Sequence, residues 1–165
     1  MAGIGISSTF LAGLISGCKP ETTGINYRAI MLDQENFTFL RNLTEALIPQ
    51  SDTPGAIELG LAEWIDTIVK KCYTENDQKQ FLSNLIAVNA ALNGKTSKSS
   101  LSSLESSLTN TESLKDAYQS IKSMVATAYL ANEYVGTKLL NYLPVPGEYV
   151  ACIPISKTNG KAWTI

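Results

Sequence analysis

Thr74-Glu75-Asn76-Asp77-Gln78-Lys79-Gln80-Phe81-Leu82-Ser83-Asn84-Leu85-Ile86-Ala87-Val88-Asn89-Ala90-Ala91-Leu92-Asn93-Gly94 is the stretch on which the fold turns. It opens on a capping-box-like start, with a hydroxyl at Thr74 and acidic groups in the turn that follows. Phe81, Leu85, Val88 and Leu92 then recur at three- to four-residue spacing, which marks one buried face of a helix. Gly94 supplies the C-cap. Working outward, the same period continues on both sides. Upstream, Phe37, Leu40, Leu43, Leu47 and Ile48 predict a helix that starts near Asp33 and stops at Pro49. After the turn Ser51-Asp52-Thr53-Pro54-Gly55, the spacing predicts a second helix with Thr53 as N-cap and Pro54 at its first position. Its stripe is Ile57, Leu61, Trp64, Ile65, Ile68 and Cys72.

Downstream, composition shifts to Ser, Thr and Lys between Lys95 and Asn110, yet Leu101, Leu104 and Leu108 keep helical spacing, so a short, weak helix is expected. The longest helix should run from about Thr111 to Asn141 on a stripe of Leu114, Tyr118, Ile121, Val125 and Ala128. Ala126, Ala128, Ala131 and Gly136 are small enough to admit a close neighbour. Pro144-Val145-Pro146-Gly147 ends the regular structure and an extended tail follows from Tyr149. No alternation builds a sheet. The expected fold is all-α: a single-domain bundle of about four to five helices with an extended, irregular C-terminal arm.

The chain has 165 residues, enough for one hydrophobic core, with ordinary apolar and charged fractions. A net charge of -2 shows no basic stripe, and so no electrostatic footprint for nucleic acid. There is no histidine. That removes the commonest general base, metal ligand and proximal haem ligand together.

The first eighteen residues read as a leader. Ile4 to Ile15 form an apolar, small-residue run too short to span a bilayer, closing on Ile15-Ser16-Gly17-Cys18. With Cys18 at the position after the cut, this resembles a bacterial lipobox, in which that cysteine is lipidated. The first basic residue is Lys19, so either the true start lies upstream or the segment is a hydrophobic N-terminal helix. Residues 19–32 then read as a polar tether, and 33–165 as the helical domain.

No Gly-rich phosphate loop, Cys-x-x-Cys pair or dinucleotide fingerprint is present. Glu58, Glu63 and Asp66 sit beside an apolar stripe and read as a solvated face. Glu133 lies in a small and aromatic stretch expected to be buried, where a carboxylate needs a partner such as Lys138. Once Cys18 is assigned to lipid, Cys72 and Cys152 remain. In an exported chain they suggest a disulfide, the alternatives being free thiols or a bond from Cys152 to a partner chain.

Two blocks carry a resemblance. Leu47-Ile48-Pro49-Gln50-Ser51-Asp52-Thr53-Pro54-Gly55-Ala56, then Glu63-Trp64-Ile65-Asp66, resembles the "IIP-x-TDTPGA … V-x-x-FID" signature of the gluconate 2-dehydrogenase subunit 3 family. Ala128 to Gly136 is similar to that family's "GYFTSE-x-G". Tyr142-Leu143-Pro144-Val145-Pro146-Gly147-Glu148-Tyr149 is similar to "Y-x-PVPG-x-Y", with Cys152-Ile153-Pro154 and Ala162-Trp163 after it. The sequence departs from the family where Thr and Ser become Ala131 and Asn132. The resemblance implies structural roles for Asp52, Thr53, Pro54, Gly55, Asp66, Glu133, Gly136 and Gly147.

By the same resemblance, the chain is a small, non-catalytic subunit that assists export and assembly of a large flavoprotein oxidising a sugar or sugar acid, often with a cytochrome c subunit. It implies a periplasmic or envelope location, FAD in the large subunit and no cofactor here. The family's twin-arginine signal is not seen in this sequence. Aromatic anchors on the arm, Tyr142, Tyr149 and Trp163, are the interface candidates together with Pro144 and Pro146; the rings either meet the partner or pack back onto the bundle. The alternative function is a free-standing envelope lipoprotein with a helical binding or structural role. An enzyme built on Glu133 and neighbouring tyrosines is the third reading, and it requires a concave pocket converging on Glu133.

Overall fold

Three helices begin where a short polar side chain accepts an N–H of its own first turn. Asp33 accepts from the Asn36 backbone at 2.8 Å and opens α1, Gln34–Leu47. That bond and a second from the Asn36 side chain hold the Asp33 carboxyl below its usual range. Thr74 accepts from Asp77 at 3.3 Å and opens α3, Glu75–Leu92, while Ser97 accepts from Ser100 at 3.2 Å and opens α4, Lys98–Ser107. The two remaining helices are α2, Leu61–Cys72, and α5, Glu112–Leu130. This computed structural model describes residues 28–108, 112–145, 147–148 and 152–164.

The most extensive helix contact is α3 on α5; α2 packs on α5 and on α1. Leu40, Leu43, Leu61, Ile65, Leu85 and Ile121 are wholly buried at these contacts. Each such side chain contributes roughly 1.5–3 kcal/mol relative to exposure. The α4 helix adds Leu101 and Leu104 to the same core, as its leucine spacing predicts. No strand occurs among the described residues, and the all-α bundle stands. No described helix is long and apolar enough to cross a membrane.

Three boundaries differ from the sequence pattern. The second helix begins at Leu61 rather than Pro54, because the donors of the intervening loop are taken by tertiary acceptors. Ala56 N–H donates to Ile48 O at 2.9 Å and Ile57 N–H to Glu45 Oε2 at 2.9 Å. Gly60, in the left-handed region at φ 66°, then turns the chain into α2. The last helix stops at Leu130 rather than Asn141, since Asn132 turns its side chain to other partners, and a π-helical turn, Val135–Leu139, follows. Of the small residues, Ala128 and Gly136 are buried as close contacts require, whereas Ala126 and Ala131 face solvent. Finally, residues 28–32 are not a tether. Leu32 is buried in the core and Ala29 and Met31 pack against it, so the folded unit starts before Asp33. The rest of the tether and the leader with Cys18 lie outside the described residues.

Candidate partner interface

The loop between α1 and α2 is built around one carboxylate. Glu45, in the last turn of α1, accepts from Gln50 N–H at 3.2 Å through Oε1 and from Ile57 N–H at 2.9 Å through Oε2. Both ends of the turn are thereby tied to α1. Gly55 is required by this arrangement: a Cβ there would lie 2.7 Å from Gln50 N and 2.7 Å from Glu45 Oε1. Asp52 is exposed at the tip, Thr53 O accepts from Ser51 N–H at 3.0 Å, and Pro54 is half-buried. The turn is a structural joint.

The second motif block is brought against the first by Asn132. Its Nδ2 donates to Leu59 O at 3.2 Å and its Oδ1 accepts from Tyr134 N–H at 2.9 Å. The amide thus caps the short helical turn that follows, a role that Ser and Asn share. Between the blocks lies an open groove of about 480 Å³ lined by Pro54, Glu58, Leu59, Asn132, Glu133, Tyr134, Thr137 and Lys138. Glu133 is exposed on this groove, not buried, because α5 has already ended and its helical turn faces solvent. The expected pairing with Lys138 is not made. Thr137 Oγ1 donates to Glu133 O at 2.8 Å, and Lys138 O accepts from Lys161 Nζ at 3.0 Å. This is a shallow cleft with an unpaired carboxylate on its rim, not a pocket converging on Glu133.

From here the chain leaves the bundle and returns. Asn141 N–H donates to Ala162 O at 2.8 Å, and Asn141 O accepts from Thr164 N–H at 3.0 Å. Asn141 Nδ2 adds bonds to Thr158 O at 3.2 Å and Lys161 O at 2.9 Å. The result is an isolated parallel bridge between Asn141 and Trp163, preceded by a 3-10 turn, Ile155–Thr158. Thr164 Oγ1 lies 3.1 Å from where a Cβ on the buried Gly136 would stand, so the end of the arm rests on the π-helical turn.

The arm leaves its apolar side chains in water. Tyr142 is 54% exposed, Val145 78%, Ile155 75% and Trp163 50%, with Tyr134, Leu143 and Ile153 also exposed. These make seven of the nine exposed large hydrophobics among the described residues, the others being Ile30 and Ile86. Tyr142 and Trp163 are thus each about half exposed rather than buried in the bundle. Pro144 and Gly147 are exposed beside them. Pro146 and Tyr149 lie outside the described residues. An apolar stretch of this kind is the usual mark of an interaction surface.

Other sequence-level sites fall elsewhere. Asp66 and Glu63 are buried, not a solvated face, and for Asp66 the cover is the chain ahead of α1. Asp66 accepts from the N–H groups of Ile30, Met31 and Leu32, whereas both Glu63 carboxylate oxygens are buried without a hydrogen bond. Cys72 and Cys152 are both exposed free thiols, so the expected bridge between them is not formed. Cys72 sits at the end of α2 in a groove with residues of α3 and α5, while the arm carrying Cys152 returns to the π-helical turn. On the opposite flank, Glu105 accepts from Lys122 Nζ at 2.7 Å and from Tyr118 Oη at 3.0 Å. Lys122 first, then Tyr118, holds the Glu105 carboxyl below its usual range. Burial first, then Glu105, pushes the Tyr118 phenol up. Among the described residues no group of three or more acidic or cysteine side chains is arranged to hold a metal ion.

Sequence reasoning missed Glu45, Asn132 and Asn141. The Asn-for-Ser exchange at Asn132 was the one available signal for a cap; the other two act through contacts that no local pattern reveals.

No curated protein and no solved structure matches the chain significantly. The family profile described as gluconate 2-dehydrogenase subunit 3 matches residues 34–147, which spans α1 to the start of the arm and includes the first motif block and the second as far as Gly147. On that match, with the two blocks joined through Asn132, the chain belongs to the gluconate 2-dehydrogenase subunit 3 family, that of a subunit of a dehydrogenase complex.

Proposed function

We propose that this chain is the non-catalytic accessory subunit of an exported flavin-dependent dehydrogenase that oxidises a sugar or sugar acid. Its task is to bind the large flavoprotein subunit and accompany it to the periplasm or cell envelope. The observation that carries this reading is the cluster of outward-facing apolar side chains from Tyr134 to Trp163, on an arm held in place by Asn141. Aromatic anchors flanked by aliphatic contacts are the composition of binding hot spots. By the family resemblance FAD belongs to the large subunit, and this sequence offers no Gly-rich loop for a pyrophosphate. By the family resemblance a cytochrome c subunit is the electron acceptor where one joins the complex, and Cys18 anchors the small subunit through lipid.

The test is a pull-down of the tagged full-length chain from its native host, with an absorbance spectrum of the eluate. The wild-type chain should bring down a stoichiometric large subunit with flavin bands near about 450 nm. The double variant Val145→Asp, Ile155→Asp should return colourless and alone, with unchanged helical circular dichroism. A colourless wild-type eluate containing only this chain overturns the proposal in favour of a free-standing envelope lipoprotein.

A further inference from the structure

We propose that Asp66 is a latch that holds the strap of residues 30–32 against α2 and fixes how the chain enters α1. Its carboxylate accepts from Ile30 N–H at 2.7 Å, Met31 N–H at 3.2 Å and Leu32 N–H at 2.9 Å. Three consecutive backbone donors converging on one carboxylate form a charge-assisted grip on a peptide. Asp66 is fully buried, and Leu32 beneath it belongs to the core. The strap itself has no helix or sheet to occupy its backbone donors, so the grip is what fixes these N–H groups.

The placement gives the latch a purpose. It lies just ahead of the N-terminus of α1, whose last turn carries Glu45 and the motif joint. Fourteen residues of α1 separate the two ends, or about 21 Å of helix. The strap and the joint, on which Asn132 docks the second motif block, are therefore at opposite ends of α1. Any pull on the N-terminal segment is taken by Asp66 on α2 before it reaches Asp33 and the first turn of α1. The domain can then be held from one end while the other stays free to dock. The latch does not depend on what the arm binds.

Amide hydrogen exchange and trypsin cleavage after the exposed Arg28, both on the full chain, test it. In the wild type, the amides of Ile30, Met31 and Leu32 should exchange well below free-chain rates. In Asp66→Asn they should exchange about 10- to 100-fold faster, the range expected when bonds to a charged acceptor are weakened. Cleavage after Arg28 should accelerate, and Leu85 and Val88 should keep their protection. Free-chain exchange at residues 30–32 of the wild type overturns the proposal, as does an Asp66→Asn profile identical to wild type. Should Asp66→Asn expose Leu85 and Val88 as well, Ile30→Pro decides. It deletes the donor of the shortest bond at an exposed side chain, and faster exchange confined to Met31 and Leu32 is the expected result. Unchanged exchange there overturns the proposal.

Discussion

Three carboxylates withdrawn from water meet different fates, and the difference lies in which backbone donors reach them. Glu45 and Asp66 each accept from backbone N–H groups of a segment remote in sequence, whereas Glu63 is buried with neither oxygen hydrogen-bonded. A buried acceptor left without a bond costs about 1–3 kcal/mol. Replacing Glu63 by Met, which has similar bulk, should therefore stabilise the fold by about 1 kcal/mol, a rise of roughly 2–4 °C in Tm. Thermal unfolding followed by circular dichroism checks this, and a Tm that falls by a similar amount would sink it. None of these roles was legible in the sequence. Helical periodicity reports which side of a helix is apolar, so Glu63 and Asp66 read as solvent-facing. What covers Asp66 is a segment about thirty-five residues upstream, whose approach no local pattern encodes. Glu133 shows the converse: its small, aromatic surroundings read as buried, but the end of α5 puts it in water.

At the scale of elements, local chemistry and tertiary competition divide the outcome. Helix starts at Asp33 and Thr74 were readable because the cap acts within four residues. The start at Pro54 failed because Glu45 supplies a bond from outside the local window. The run to Asn141 failed because Asn132, inside an apolar helical pattern, caps a new turn instead. The α4 helix, rich in serine, is fastened to α5 by Glu105, Tyr118 and Lys122. Because Glu105 titrates lower in the folded state, its contribution is present above the usual carboxylate range. It is lost as pH falls through the depressed value. Glu105→Gln should cost less than about 1 kcal/mol at neutral pH, since the pair is half exposed. The gap between wild type and variant in urea unfolding should narrow as the solution is acidified; a constant gap would show that the charge is not the cause. Tyr118 acts in the opposite sense, its contribution being present below its ordinary value of 10.0 and lost as pH rises above it.

For the whole molecule, the bundle and the arm divide stability from surface. The core lies in the helices, while the arm shows solvent the side chains Val145, Ile155 and Trp163. The isolated wild-type chain should self-associate as its concentration rises, and Val145→Ser, Ile155→Ser should remain monomeric in sedimentation velocity. Equal sedimentation of the two at every concentration would argue against a sticky arm. The bonds that Asn141 makes to both Ala162 and Thr164 have a thermodynamic corollary. Fixing a free backbone costs roughly 1–2 kcal/mol per residue at the moment of association. In this arm the residues at the closure are already fixed before any encounter, so that entropy loss falls on folding rather than on complex formation. A partner meeting such a pre-ordered closure keeps more of its contact energy as affinity.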